Sequence, residues 1–356
     1  MKRKIHYSND ELNLFEQIQS VVNGYLDANS SGHHANTSYF IKIALIGGIW
    51  IAALGCLFMV NSLPELWVVY GVLGVFNTLV FLNIIHDAAH QSIFRSRRYN
   101  NALFNLLNII GGNCYIWKLR HINSHHPYPN IPGEDMDIGQ SEVVRLNSKS
   151  PYKWFHKFQH IYMPIIYLNY TLFWVFFRDF NDFWKGDFVR GANKTYPVRE
   201  WIYMILYKVL YFSIFLILPY WLLPYSFGSI FLGFVIMHIF QSILSVMGLL
   251  TAHVNEYSKF PLPNESGIME DCWAIHQINS TNDFGTGNRI INYTFGGFNF
   301  HVAHHLFPNI SHIHYAFITP LIKKVIEKNG LTYQEMGMFE ALVSHWYLLK
   351  KYSKRD

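Results

Sequence analysis

Charged residues make up only 14% of this 356-residue chain, against about 25% in ordinary soluble domains, while hydrophobic residues reach 51% and aromatics 17%. That deficit excludes an ordinary soluble domain and points to a membrane protein. Cysteine is scarcer still: Cys56, Cys114 and Cys272 are odd in number and widely spaced, so no disulfide framework is expected. No heptad array, Gly/Ser linker or low-complexity tract interrupts the chain, and its halves show no convincing repeat, so residues 1–356 read as a single domain. The start, MKRKIHYSNDEL, is charged and lacks a hydrophobic core region, and no cleavable signal peptide is read there. A net charge of +5 suits loops lying against anionic lipid, an acidic partner or an anionic substrate carrier, and gives little reason to invoke nucleic acid.

Four stretches are long enough to cross a bilayer core, which takes about 20 apolar residues. They run over residues 39–60, 66–85, 201–223 and 227–252. The first and third each carry one lysine, Lys42 and Lys208, which a snorkelling stem or a polar cavity must accommodate; the other two carry no Asp, Glu, Lys or Arg. Lysine and arginine number 3 before the first span, 14 from His86 to Arg199 and 9 after the fourth, with none in the turns at 61–65 and 224–226. The positive-inside rule then places both termini and the central segment in the cytoplasm. The expected fold is an all-α integral membrane protein, with four spans in two hairpins and a cytoplasmic helical cap from residues 86–200 and 253–356. Ala102 to Ile110 is too short to cross and reads as an interfacial helix ended by Gly111-Gly112. Met163 to Phe177 is uncharged, yet a single crossing there would break the charge bias, so an interfacial or re-entrant helix is expected. Thr319-Pro320 reads as a helix start, Gly330 as a stop, and Thr332 with Glu335 as a capping box, giving two closing helices.

Histidine is abundant, 19 in all, and clustered: His86 and His90; His121, His125 and His126; His301, His304 and His305. Side chains three and four apart share a helical face, so two imidazoles can converge on one ion. At this frequency roughly one H-x-x-x-H pair is expected by accident, whereas four occur. The first cluster follows directly on the second span, and the fourth span runs into His253 on the same side. Nine imidazoles are too many for one ion and suit two. Imidazole accepts Zn, Cu, Fe and Ni, but a closed structural zinc site takes four ligands and prefers some thiolate, so a redox-active pair with positions left for oxygen fits better. Asp87 and Glu256 are candidates to accept the second ring N–H of a ligating histidine. The fourth pair, His156 and His160, reads as the accident. His238, inside the fourth span, reads equally as a functional group or as a neutral hydrogen-bonded one. His312 and His314 cannot share a helical face and read as packing or substrate-entry residues.

H-D-A-A-H at His86 to His90, H-I-N-S-H-H at His121 to His126 and H-V-A-H-H at His301 to His305 resemble the three histidine boxes of membrane fatty-acid desaturases. W-K-L-R-H-I-N-S-H-H-P-Y-P-N-I-P-G-E-D-M-D-I, T-A-H-V-N-E-Y-S-K-F-P around His253, W-A-I-H-Q at Trp273 to Gln277 and H-H-L-F-P-N-I-S-H-I-H-Y resemble the acyl-lipid and linoleoyl-CoA branch. The resemblance implies a di-iron, oxygen-dependent enzyme that removes two hydrogens from an unactivated acyl chain carried by lipid, coenzyme A or carrier protein. It implies His86, His90, His121, His125, His126, His253, His301, His304 and His305 as iron ligands, with His276 a tenth candidate. An apolar tunnel would hold the chain, and its depth would set where the double bond forms. Front-end members of the branch usually begin the third box with Gln, where this chain has His301. The fused cytochrome b5 domain and its His-Pro-Gly-Gly motif are missing, so an external ferredoxin or cytochrome b5 is the expected electron donor. Purified material is expected to take up zinc as well as iron. The same oxidant could instead hydroxylate a chain or form an acetylene. Metal transport or storage is a rival from another class, but it calls for ligands lining a path at mid-span, where only His238 lies.

Overall fold

The computed structural model describes residues 5–139, 141–186, 189 and 196–355. Residues 1–4 of the charged start, and parts of the central segment around 190, lie outside the described residues. Among the described residues, four helices are long and apolar enough to cross a membrane: Thr37–Cys56, Leu63–Ala89, Val198–Leu222 and Phe227–His253. The first ends four residues earlier than hydropathy suggested, because the chain turns at Leu57 and restarts on the Ser62 N-cap, whose hydroxyl accepts from the Glu65 amide, with proline in the first turn. The rest of the protein is short helices, with two small parallel strand pairs, His6–Ser8 on Ile268–Cys272 and Asp283–Phe284 on Glu335–Met336.

The second span is the axis of the bundle. Its most apolar stretch is 67% buried against 22 to 44% for the other three. Close approach to the fourth span depends on two glycines: a Cβ on Gly74 would lie 2.1 Å from the Met237 carbonyl oxygen, and one on Gly233 would lie 2.2 Å from the Tyr70 ring. Several polar groups inside the bundle are paired, as hydrocarbon favours. Trp50 Nε1 donates to Asn77 Oδ1 at 2.8 Å, and the Tyr70 hydroxyl to the Phe215 carbonyl at 2.8 Å. Both span lysines occupy polar pockets and do not snorkel. Lys42 Nζ lies 2.9 Å from His312 Nε2, and Lys208 Nζ donates to Asp179 at 2.8 Å and to the Gly111 carbonyl at 2.7 Å.

The uncharged stretch around Met163 to Phe177 belongs to two helical limbs, Trp154–Tyr167 and Tyr170–Lys185, bent by 81° at the break between them. Thr171, just past the bend, is tied to the fourth span: its amide donates to Ser242 Oγ at 3.0 Å and its hydroxyl lies 2.9 Å from His238 Nδ1. The other ring nitrogen of His238 meets the Tyr211 hydroxyl of the third span at 2.8 Å. His238 is thus a hydrogen-bonded anchor for three elements. Both limbs come back to the histidine end of the bundle, where Tyr167 meets His345 and Asp182 pairs with Arg120.

Two expectations for the closing segment fail. The helix there is Tyr315–Lys328 with Pro320 inside it, because Tyr315, Ile318, Ile322, Val325 and Ile326 form one buried stripe that starts before the proline. Glu335 sits in a strand pair, so Thr332 and Glu335 form no capping box; the last helix, Met338–Lys351, is capped at Gly337 by Glu340. Gly330 does end its helix, at φ +74°. The stretch at 102–110 is two short helices, Arg97–Phe104 and Leu106–Ile109.

Candidate metal centre

The second span does not stop at the first histidine cluster. It passes through one wide π turn, Phe81–Ile85, into His86–Ala89, the kind of helical irregularity common at functional sites. A second π turn covers His121–His125, and the His126 amide donates to the His121 carbonyl at 3.0 Å. In that wider turn residues five apart stand over one another. His121 therefore shares a nest with His126, while His125, its ring still stacked 5.2 Å from that of His121, belongs to the other, although regular helical spacing would have paired His121 with His125.

The result is two nests of histidine. His86, His90, His121, His126 and His304 form one, and His125, His253, His301 and His305 the other; within each, the potential ligand atoms lie within 4.8 Å of one another. The nests adjoin, with the His126 and His305 rings stacked at 4.5 Å. Nε2 atoms face each other at 3.2 Å between His86 and His121, 3.1 Å between His126 and His304, and 2.6 Å between His253 and His301.

Five rings are held from behind. His121 Nδ1 donates to Asp137 at 2.9 Å, His125 Nδ1 to Asp135 at 2.9 Å, His305 Nδ1 to Gln277 Oε1 at 2.9 Å, and His253 Nδ1 to the Ser280 carbonyl at 2.9 Å; His304 Nδ1 lies 3.2 Å from the Tyr315 hydroxyl. A proton held at Nδ1 leaves the Nε2 lone pair aimed inward. Burial drives His126, His304 and His305 well below the usual imidazole range, and neighbouring histidines push the same way. For His125, burial is outweighed by Asp135 and the ring is pushed up. Burial works against the Asp137 carboxylate, but His121 and Arg120 together hold it well below the carboxylate range.

Nine of the ten candidate ligands are thus brought together. His276 is not: its Nε2 lies 2.9 Å from the Pro129 carbonyl, and burial lowers its pKa to about 4. Asp87 and Glu256 do not back the nests. Asp87 follows His86 by one residue, about 100° around the helix, and instead accepts from His312 Nδ1 at 2.9 Å and Ser311 Oγ at 3.1 Å. Glu256 is exposed, its side chain against Tyr257. The backing groups that are present, Asp135, Asp137, Gln277 and Tyr315, lie inside the quoted motifs but carry no spacing signal toward the rings they hold. His156 accepts from the Lys153 amide and contacts the Glu142 carbonyl, and His314 contacts the His34 carbonyl; both stand outside the nests.

Against the nests lies a cavity of about 600 Å³, lined chiefly by apolar and aromatic side chains, with His121, His125, His253 and His301 at one end and Phe231 of the fourth span at the other. It has the size and lining of a small-molecule site. Arg178, unflagged by the sequence, also lines it, stacked 4.1 Å from the Trp174 ring centroid and bonded to the Tyr170 hydroxyl at 3.1 Å.

A membrane-type helical bundle carrying two histidine nests beside an apolar cavity suits an enzyme that could hold metal and act on an apolar chain. Residues 63–337 match the model of the fatty acid desaturase family. The chain is 32% identical over 346 residues to the sn-1 linoleoyl-lipid 6-desaturase of Arthrospira platensis, covering 95% of this chain and 92% of that one. It is 29% identical to the protein of the same description from Synechocystis sp., covering 93% of each. It is 26% identical to the acyl-lipid (8-3)-desaturase of Physcomitrium patens, covering 94% of this chain and 70% of that one. The chain belongs to the fatty acid desaturase family and is an enzyme that desaturates fatty acyl chains.

Proposed function

We propose that this enzyme desaturates acyl chains carried by membrane lipid, using iron in both histidine nests, molecular oxygen and electrons from a separate donor. The observation that carries this reading is the position of the two nests at the end of an apolar cavity. The residues fit a pair of cations. His90 Nε2 and His305 Nε2 are buried with no hydrogen-bond partner among the described residues, and neutral imidazoles facing each other over 2.6 to 3.2 Å leave lone pairs that an ion would satisfy. His86, His90, His121, His126 and His304 would hold one ion, and His125, His253, His301 and His305 the other. A bound iron pair would activate oxygen, the oxidant, toward an unactivated C–H bond.

The chain's own residues do the rest. Asp135, Asp137, Gln277, Ser280 and Tyr315 orient rings and fix their tautomers. Phe81, Trp117, Phe298 and Leu250 line the cavity near the nests and keep water from the reacting methylenes. Reducing one O2 to two waters takes four electrons; the C–H bonds yield two, so a donor must bring two more, a role that suits a ferredoxin or cytochrome b5. The chain reads as a single domain of two span hairpins, and the distribution of lysine and arginine supports termini, cap and nests on the cytoplasmic side. The lipid carrier is favoured by the names of the relatives, acyl-lipid and linoleoyl-lipid desaturases.

Mass spectrometry of host lipids, with and without expression, tests the reading. New double bonds in glycerolipid acyl chains are expected, together with iron in the purified protein. Hydroxylated chains without new alkenes would reject it.

A further inference from the structure

The bend between the two limbs lies deep. Thr171 is bonded to Ser242 and His238, 11 and 15 residues before His253, so roughly 16 to 23 Å along the fourth span from the nests. A bilayer core is about 30 Å thick. The residues around the bend therefore stand in hydrocarbon, out of reach of bulk water. Four of them or their neighbours on the fourth span, Ile166, Phe173, Phe177 and Phe231, line the cavity and are 42, 40, 59 and 43% exposed. Side chains that line a cavity and are this exposed stand at its boundary. Here the outside is lipid, since Phe231 shares its face of the span with exposed Phe227, on which its ring stacks. The polar rim lies at the other end, at Ser141 and Val143 near the nests.

Resting on the acyl-lipid reading above, we infer that the gap between the bent limbs and the fourth span is a lateral slot, through which the acyl tail of an intact glycerolipid enters the cavity from the bilayer. The lipid's polar part stays at the rim near Ser141. Its tail slides in sideways between Phe173 and Phe177 on one edge and Phe231 on the other, and no part of the polar group crosses hydrocarbon. The edges are aromatic rings on helices, so the slot opens by ring rotation and needs no backbone rearrangement.

The test uses the full chain in vesicles of dioleoyl phosphatidylcholine, with a photo-crosslinking benzoylphenylalanine at position 163, a buried site lining the cavity, or at exposed position 205 on the third span as reference. Adducts with the intact two-chain lipid are expected at both positions. Combining Phe177→Trp with Phe231→Trp should abolish the adduct at 163 and leave that at 205. A position 163 that reacts only with acyl-CoA added to the water, or that labels equally in the Trp variant, overturns the slot. Desaturated host glycerolipid without the adduct rejects the slot and keeps the acyl-lipid reading; the adduct without desaturated lipid keeps the slot and rejects that reading.

Discussion

The carboxylates behind the histidine nests show how far single residues can be read from sequence. Histidine clustering makes eight of the nine rings legible, since i, i+3 and i+4 neighbours converge, and the fourth span running into His253 supplies the ninth. It does not show which ring joins which nest, because the π turn at His121–His125 changes the phase. Nor does it reveal Asp135 and Asp137, which reach their rings by a loop that folds back 10 and 16 residues, whereas Asp87, beside His86, faces the wrong way. Second-sphere partners of this kind are typically worth 10- to 100-fold in metal affinity or activity. Asp137→Asn is expected to lose metal to a chelator at concentrations roughly 10- to 100-fold lower than the parent, while Glu256→Gln matches the parent. Equal sensitivity of the two, read by metal analysis after dialysis, would reverse the assignment. His304→Ala removes a ring central to its nest and should abolish turnover and lower bound metal. His156→Ala breaks only contacts to Lys153 and Glu142 and should change neither.

At the scale of elements, hydropathy located the four spans within a few residues, because the apolar length a bilayer demands is a property of composition. The two bent limbs were harder to read. An uncharged run can cross or dip, and what decides is the pairing of Thr171 with His238 and Ser242, a contact across about 70 residues that no local pattern encodes. Thr171→Val keeps the shape and removes the hydroxyl, leaving His238 Nδ1 without that partner in hydrocarbon. A buried polar group so orphaned costs about 1 to 3 kcal/mol, so the variant should unfold at lower temperature in detergent; an unchanged midpoint would mean that the bend is held by packing alone. The contact of the second and fourth spans makes a stronger demand. A methyl group on Gly74 would meet the Met237 carbonyl oxygen at 2.1 Å, and backbone cannot rotate away as a side chain can. Overpacking of this kind costs about 1 to 3 kcal/mol or more. Gly74→Ala should therefore accumulate poorly in membranes, whereas Gly55→Ala, with open space around its Cβ, should accumulate normally.

For the whole molecule, the consequential fact is where the nests sit along the cavity. They lie at its upper end, beside His253, and the apolar space continues to Phe231, 22 residues and roughly 33 Å further along the fourth span. On the other side of the nests the cavity is lined by residues such as Ile138, Ser141, Val143 and Leu146. An acyl chain whose polar end rests there reaches the nests within its first few methylenes, and the remainder hangs toward Phe231. With the slot proposed above open to lipid, tunnel depth, the ruler expected from the sequence, would not measure such a chain, because extra methylenes would pass beyond Phe173, Phe177 and Phe231. On that proposal the polar end does the measuring. Two acyl chains differing by two methylenes should therefore acquire the new double bond at the same distance from the carboxyl carbon, as read by mass spectrometry of derivatised products. A bond held at constant distance from the methyl end would require a closed floor, and would show that the tail, not the polar end, is gripped.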